Sequence, residues 1–125
     1  MGLTFDTGAL IAIQRRDIRM GVIFETATTD NVTITVPTPV ISEWWRGASR
    51  RHFEKILEGL TVEPFDEQLA KAVGETLAAV DGSTFVDAVV MVSASLRGDT
   101  VYTSDPRDLF RIRDARFRST RVLTV

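Results

Sequence analysis

Asp6, Glu43, Asp87 and Asp105 each stand where an apolar segment ends or a helix begins, although the first and last are 99 residues apart. An α/β fold that gathers them at one sheet edge would set four carboxylates in mutual repulsion, which a small hard cation relieves. Such a cluster suits hydrolysis of a phosphodiester by a metal-activated water, the layout of a metal-dependent nuclease. The chemistry requires the acids to converge, because each taken singly has an ordinary structural explanation. Asp6 follows an apolar run and suits an N-cap. Glu43 suits a first helical turn, where the macrodipole favours negative charge. Asp87 lies three residues after Thr84, the spacing of a capping box. Asp105 before Pro106 reads as an N-cap and first-position pair. Asp87 is the most informative, since Ala88, Val89, Val90 and Val92 follow it in a helix that should be buried, and a buried carboxylate needs a partner. Asp108, one turn beyond Asp105, either adds a fifth acid or favours the helix start.

The elements that must position these acids follow from apolar periodicity. The run from Leu3 to Phe5, ending in Asp6-Thr7-Gly8, predicts a buried strand and a turn into a helix over 9–14. A helix over 17–28 stops at Asp30-Asn31, and the β-branched stretch 32–36 predicts the second strand. Thr38 and Pro39 predict an N-cap and first helical residue for a helix over 40–49 that carries Glu43. Another helical stretch, 50–58, leads through Gly59 to a third strand over 60–62. Asp66 caps a helix over 67–80 whose stripe is Leu69, Ala70, Val73, Leu77 and Val80. A helix over 85–96, apolar on nearly every side, is stopped by Gly98. A fourth strand over 100–103, a short helix from Asp105-Pro106 through Ile112 and a last strand over 121–125 complete a βαβαβαβαβ order. The alternation predicts a parallel sheet of about five strands covered by helices on both faces. In such sheets, sites form beyond the carboxyl ends of the strands where the strand order reverses, so Asp6 and Asp105 become neighbours if strands one and four flank that point.

Composition narrows the class. A chain of 125 residues with 44% hydrophobic content suffices for one core, so a single domain over 1–125 is expected. The absence of cysteine excludes a disulfide framework, a thiolate zinc site and a cysteine nucleophile. Residues 1–13 lack the pattern of a secretory segment, which makes a cytoplasmic protein the expectation. The longest apolar stretch, 85–92, is broken by Asp87 and falls far short of the roughly 20 residues a membrane helix needs. The net charge of -2 conceals a basic C-terminal end, with Arg107, Arg111, Arg113, Arg116, Arg118 and Arg121 against Asp108 and Asp114. Thirteen of the fifteen basic residues are Arg, whose planar fork suits phosphate, although the same run also reads as a solvated helix face. Beside an acidic metal site, a nucleic-acid backbone becomes the expected partner. His52, beside Arg50, Arg51 and Phe53, reads as a surface residue, and a single His excludes a His pair for metal-free acid-base cleavage.

Four stretches carry a resemblance: Phe5-Asp6-Thr7-Gly8-Ala9-Leu10-Ile11-Ala12, Val40-Ile41-Ser42-Glu43, Phe85-Val86-Asp87-Ala88, and Thr103-Ser104-Asp105-Pro106-Arg107-Asp108-Leu109. In this order, and spanning nearly the whole chain, they resemble the PIN-domain family, and within it the ribonuclease toxins of VapB-VapC toxin-antitoxin modules. The resemblance implies a three-layer α/β sandwich. It also implies a catalytic, metal-holding set of Asp6, Glu43, Asp87 and Asp105, with Asp108 as a further metal-side acid and Thr7 or Thr103 as polar support. Magnesium, with manganese as substitute, is the implied cofactor. The implied reaction is cleavage of RNA to a 5′ phosphate and a 3′ hydroxyl by a homodimer that a small VapB-like antitoxin blocks. Trp44-Trp45 departs from the pattern, since similar chains carry smaller aliphatic residues there. One indole can fill the core and the other either packs there, joins a dimer or faces a partner or stacked base.

Rival readings are weaker on the residues. An aspartyl-phosphate phosphatase needs a second Asp where Gly8 stands, and a receiver domain needs a late strand-end Lys, whereas the only lysines are Lys55 and Lys71. A PIN-domain RNA-processing nuclease outside toxin systems and a non-catalytic PIN-like binding module stay open.

Overall fold

A computed structural model describes residues 1–46 and 50–125. In chain order the elements are β1 (Leu3–Phe5), α1 (Thr7–Gln14), α2 (Ile18–Thr29), β2 (Ile34–Pro37), α3 (Thr38–Trp45), α4 (Arg50–Leu57), β3 (Thr61–Glu63), α5 (Glu67–Ala79), α6 (Phe85–Arg97), β4 (Thr100–Thr103), α7 (Arg107–Arg116) and β5 (Val122–Thr124). The strands form one parallel sheet in the order β3-β2-β1-β4-β5, the α/β architecture that the alternation predicts. Strand order reverses between β1 and β4, which pair with Phe5 opposite Tyr102, so the residues following both strands emerge side by side. Right-handed crossovers set α1–α4 on one face and α5–α7 on the other. The packing agrees, since α1 touches α2, α3 and α4 while α6 touches α5 and α7. In addition, α3 meets α6, which joins the two layers at one end of the sheet.

The apolar periodicity explains the layers. Phe5, Leu10, Val36, Val40, Met91 and Val101 are fully buried in the main core, while Leu69 and Val73 of α5 form a second cluster with Ala88, Val89 and Val92 of α6. Helix α6 is therefore buried on several sides at once, which is why its sequence lacks a polar face. Its first turn is capped by the Thr84 hydroxyl and it ends at Gly98, whose φ of 71° is the left-handed conformation that favours glycine. Among the described residues, no helix is long and apolar enough to cross a membrane.

Beneath the last turns of α6 runs a polar seam that the periodicity does not reveal. The Arg97 guanidinium donates to Glu63 Oε2 at 2.7 Å, Asp99 Oδ2 at 2.9 Å and Thr4 Oγ1 at 2.8 Å. Asp99 also accepts from the Gly2 N–H at 2.7 Å and the Thr4 hydroxyl at 2.9 Å, and Ser93 donates to Glu63 at 2.6 Å. Ends of β1, β3, β4 and α6 are thereby tied together.

Several boundaries differ from expectation for local reasons. Helix α1 starts directly at Thr7, because Asp6 itself accepts its cap bond. Strand β2 begins at Ile34, since Asn31 turns the chain with φ of 57° and Val32 and Thr33 are still exposed. Pro37 is the N-cap of α3 and Thr38 lies inside the helix. The expected helix over 40–49 ends at Trp45 among the described residues, and its last positions, 47–49, lie outside them. Helix α7 runs on to Arg116 rather than stopping at Ile112. Its buried residues are Leu109 and Ile112, with Phe110 packed beside the core, and Arg113 lies over the Phe110 ring at 4.6 Å, so its composition disguises its length.

Candidate active site

Asp6 leaves β1 and caps α1, its Oδ1 accepting the Ala9 N–H at 2.8 Å. It is buried, with 8% of its surface exposed. Burial pushes its carboxyl up from 3.8 to about 6, against hydrogen bonds from Thr103 and the Ala9 N–H that favour the anion, and Asp87 and Glu43 raise it further. Asp87, half-buried in the first turn of α6, is also raised, first by burial and then by Asp108, Glu43 and Asp105, with the Thr84 hydroxyl acting in opposition. Every one of the five acids thus acts electrostatically on Asp6 or Asp87, or is one of them. Asp6 and Asp105 follow the paired strands β1 and β4, and Glu43, Asp87 and Asp108 come from α3, α6 and α7 near enough to act on Asp6 or Asp87 through charge.

Local roles were only partly as expected. Asp6 does cap, and the Asp87 N–H does bond the Thr84 hydroxyl at 3.4 Å, so both acids combine a helix-start role with membership of the cluster. Asp105 does not cap. Pro106 is the N-cap of α7, while the Asp105 N–H donates to Thr103 Oγ1 at 3.0 Å and its carboxylate stays exposed. Glu43 lies beyond the first turn of α3 and is exposed, which removes the macrodipole explanation for it. Asp108, in the first turn of α7, pairs with Arg111 at 3.1 Å.

Two small residues hold the loops in place. Thr103, fully buried, accepts the Asp105 N–H at its hydroxyl and favours the anion of Asp6 beside it. Gly8 lies so close to Ser104 that a methyl group would stand 3.2 Å from its Cβ and 3.3 Å from its backbone nitrogen, besides colliding with its hydroxyl. Glycine is therefore what lets the start of α1 approach the β4–α7 loop. Thr7 Oγ1 is buried and has no hydrogen-bond partner among the described residues. As the side chains lie, no group of three Asp, Glu, His or Cys among the described residues is close enough to hold a metal ion.

Two grooves flank Glu43. One, about 370 Å³, is lined by Thr7, Gln14, Arg15, Glu43 and Arg46 over a floor of Trp44 and Phe53. The other, about 520 Å³, is bounded by Glu43 and Arg46 on one wall and by Phe65, Phe85 and Val86 on the other. Trp44 is core, stacked on Phe53 with centroids 4.1 Å apart and donating its Nε1–H to Gln14 at 3.3 Å, whereas Trp45 is only partly buried. His52 is half-buried against the Gln14 carbonyl oxygen at 3.2 Å rather than a free surface residue. Of the C-terminal arginines, Arg111, Arg113 and Arg118 are bonded to Asp108, Asp114 or nearby carbonyls, so the basic run is partly internal scaffolding. Of the residues that line these grooves, sequence reasoning gave no role to Arg15, Arg46 or Phe85. The only signal was a Phe at the very start of an otherwise buried helix.

No curated protein matches the chain in sequence. Similar solved structures include VapBC2 from Rickettsia felis bound to a DNA fragment from their promoter, at 15% identity and a TM-score of 0.79, covering 100% of this chain and 99% of that one. DNA-bound VapBC from Salmonella typhimurium shares 18% identity with a TM-score of 0.76, over 99% and 98% of the two chains. FitAcB from Neisseria gonorrhoeae shares 16% identity with a TM-score of 0.70, over 98% and 96%. At these identities the likeness is one of fold. The family model described as PIN domain matches residues 3–117, which takes in all five acids and every strand but the last, and the chain belongs to that family.

Proposed function

We propose that this protein is a metal-dependent endoribonuclease acting as the toxin of a toxin-antitoxin module. The observation that supports the reading is that Asp6 and Asp105 follow the two strands at the order reversal of a PIN fold, with Asp6 and Asp87 both raised by burial and then by acids drawn from Glu43, Asp87, Asp105 and Asp108. Among neighbours of the same fold are toxin-antitoxin complexes, which supports the toxin assignment.

The donor set fits a hard divalent cation, because it is all oxygen, contains no Cys or His, and adjoins the Thr7 hydroxyl, which is without a hydrogen-bond partner among the described residues. Asp6, Glu43, Asp87 and Asp105 would hold magnesium or manganese, with Asp108 beside them. Bound there, the ion would offset developing phosphate charge and acidify an attacking water. Asp6 is held in one orientation by its cap bond, and Asp87 is set by the first turn of α6. Glu43 and Asp105 are exposed and can turn inward, which would complete a group that the side chains as they lie do not form. The substrate is RNA entering along the two grooves beside Glu43, the setting is the cytoplasm, and the working form is a homodimer. A small antitoxin would silence the site by inserting a cation, such as an Arg, among the acids.

Purified protein should cleave mixed RNA in magnesium, lose that activity in EDTA and regain it with excess magnesium or manganese. Undiminished cleavage in EDTA would sink the mechanism. Overproduction should arrest growth, and coexpression of a short neighbouring gene should relieve the arrest. RNA binding without cleavage in any divalent ion would instead mark a non-catalytic binding module.

A further inference from the structure

Arg111, itself outside the donor set, joins two segments that each lead into acids of the cluster. Its Nη2 donates to Asp108 Oδ1 at 3.1 Å and to the Gly82 carbonyl oxygen, 29 positions away, at 3.0 Å. A terminal guanidinium nitrogen carries two hydrogens, so it can serve both acceptors at once. On one side, Gly82 belongs to the turn between α5 and α6, two residues before Thr84, whose hydroxyl accepts the Asp87 N–H. Ser83 stiffens that turn by donating its hydroxyl to the Val80 carbonyl oxygen at 2.7 Å. On the other side, Asp108 lies in the first turn of α7, three residues after Asp105. Arg111 therefore spans the starts of the two helices that bring Asp87 and the Asp105–Asp108 pair. Gly82 suits the span, because its φ of 76° makes the turn and an added methyl would stand 3.3 Å from Arg111 Nη1.

We infer that Arg111 is a positioning residue of the acid site: it clasps the α5–α6 turn to the start of α7, and so sets Asp87 relative to Asp105 while covering the charge of Asp108. The inference rests on the metal-dependent nuclease reading and adds to it a residue that touches neither cation nor substrate. Magnitudes favour position over stability as the purpose. A pair one helical turn apart, with 48% and 49% of its side chains exposed, contributes little to folding. Misplacing a group that must meet a reacting centre by about 1 Å, in contrast, can cost on the order of 100-fold in rate. The charge of Asp108 is felt at Asp87, so the separation that Arg111 fixes lies within the cluster.

The test compares Arg111→Met and Arg111→Lys with unsubstituted full-length protein. Binding of Mn2+ to RNA-free protein is followed by electron paramagnetic resonance of the free ion, and cleavage of a short RNA of mixed sequence is resolved into kcat and KM at saturating manganese. Arg111→Met should weaken Mn2+ binding and lower kcat by about 10-fold each, with KM within about 2-fold of the parent. In metal-free protein its amides at the start of α6 should exchange faster, while the melting temperature moves little. Arg111→Lys keeps a charged donor for the same acceptors and should recover most of both losses. In an Asp108→Asn background, Arg111→Met should still cost about 5-fold in kcat, because the link to Gly82 is lost whatever stands at 108. Unchanged Mn2+ binding and kcat in Arg111→Met would overturn the clasp, as would losses matched by an equal loss of folded protein. So would tighter Mn2+ binding, or no further loss in the Asp108→Asn background, since Arg111 would then act only by shielding Asp108. Failure of the nuclease reading looks different: unsubstituted protein would leave RNA intact in any divalent ion, while amide exchange would still report on the clasp.

Discussion

The two ends of α6 carry two charged clusters built on opposite principles. At its C-terminal end, Arg97 meets Glu63 and Asp99, and the Thr4, Ser93 and Gly2 donors complete their bonding, so charges of both signs satisfy one another. At its N-terminal end, Asp87 feels the charges of Glu43, Asp105 and Asp108 and acts on Asp6, while among the described residues the one cation paired into the group is Arg111 on Asp108. Both placements suit the helix dipole, with an acid in the first turn and an Arg in the last. The difference lies in closure. The Arg97 seam is complete without a ligand and ties the fold together, whereas Asp6 and Asp87 carry a burial penalty, added to by acidic neighbours, that a bound cation would relieve.

The sharpest way to break this contrast is to neutralise one acid. Asp87→Asn or Asp105→Asn should cut RNA cleavage by at least about 100-fold while leaving the melting temperature of metal-free protein equal or higher. Several variants that stay active but lose stability would mean that the acids build the fold and do no chemistry.

Arg97→Met should show the reverse pattern. Removing the guanidinium leaves buried Asp99 and half-buried Glu63 without their cation, at a cost of about 2–3 kcal/mol once partial exposure is allowed for. Denaturant unfolding measures that cost, and specific activity of the folded fraction should hold.

A pH series distinguishes the clusters further. Folded Asp6 titrates near 6 against an ordinary 3.8, so the folded protein holds an extra proton between those values and its stability falls as pH rises through that window. The penalty is complete above about pH 6 and absent below about pH 4. Asp6→Asn, which keeps a capping side chain, should therefore gain about 1–3 kcal/mol above pH 6 relative to wild type, and the gain should vanish towards pH 4. A constant difference across the range would show that the Asp6 anion carries no such penalty.

The smallest effect should come from Gly8→Ala. The added methyl must push Ser104 away, costing about 1 kcal/mol. Because that contact aligns Asp6 with Asp105, cleavage should fall by more than stability alone explains. An alanine variant with full activity would show that the loop spacing is not critical.

How legible each feature was depended on the range of the interaction behind it. Strands and helices rest on periods of two and 3.6 residues, so their order, and with it the parallel sheet, could be read directly. Caps made within four residues, at Asp6, Asp66 and Thr84, were equally local. The Asp105-Pro106 cap failed because Thr103, itself fixed by tertiary burial, took the Asp105 N–H instead. The Arg97 seam was invisible because it pairs residues 34 and 93 positions apart with no periodic signature. The grooves were invisible for the same reason. Phe85 looked like one more apolar residue until the packing of α3 against α6 left it exposed.

By itself, then, the sequence determined the alternating elements and the acids at their ends, because backbone propensity and apolar spacing act locally. Only the tertiary structure decided that β1 and β4 lie side by side, that Asp6 is buried enough to titrate near 6, and that one charged end of α6 is balanced and the other is not. Those outcomes depend on strand order and solvent exclusion, which are properties of the whole packed chain and of no single segment.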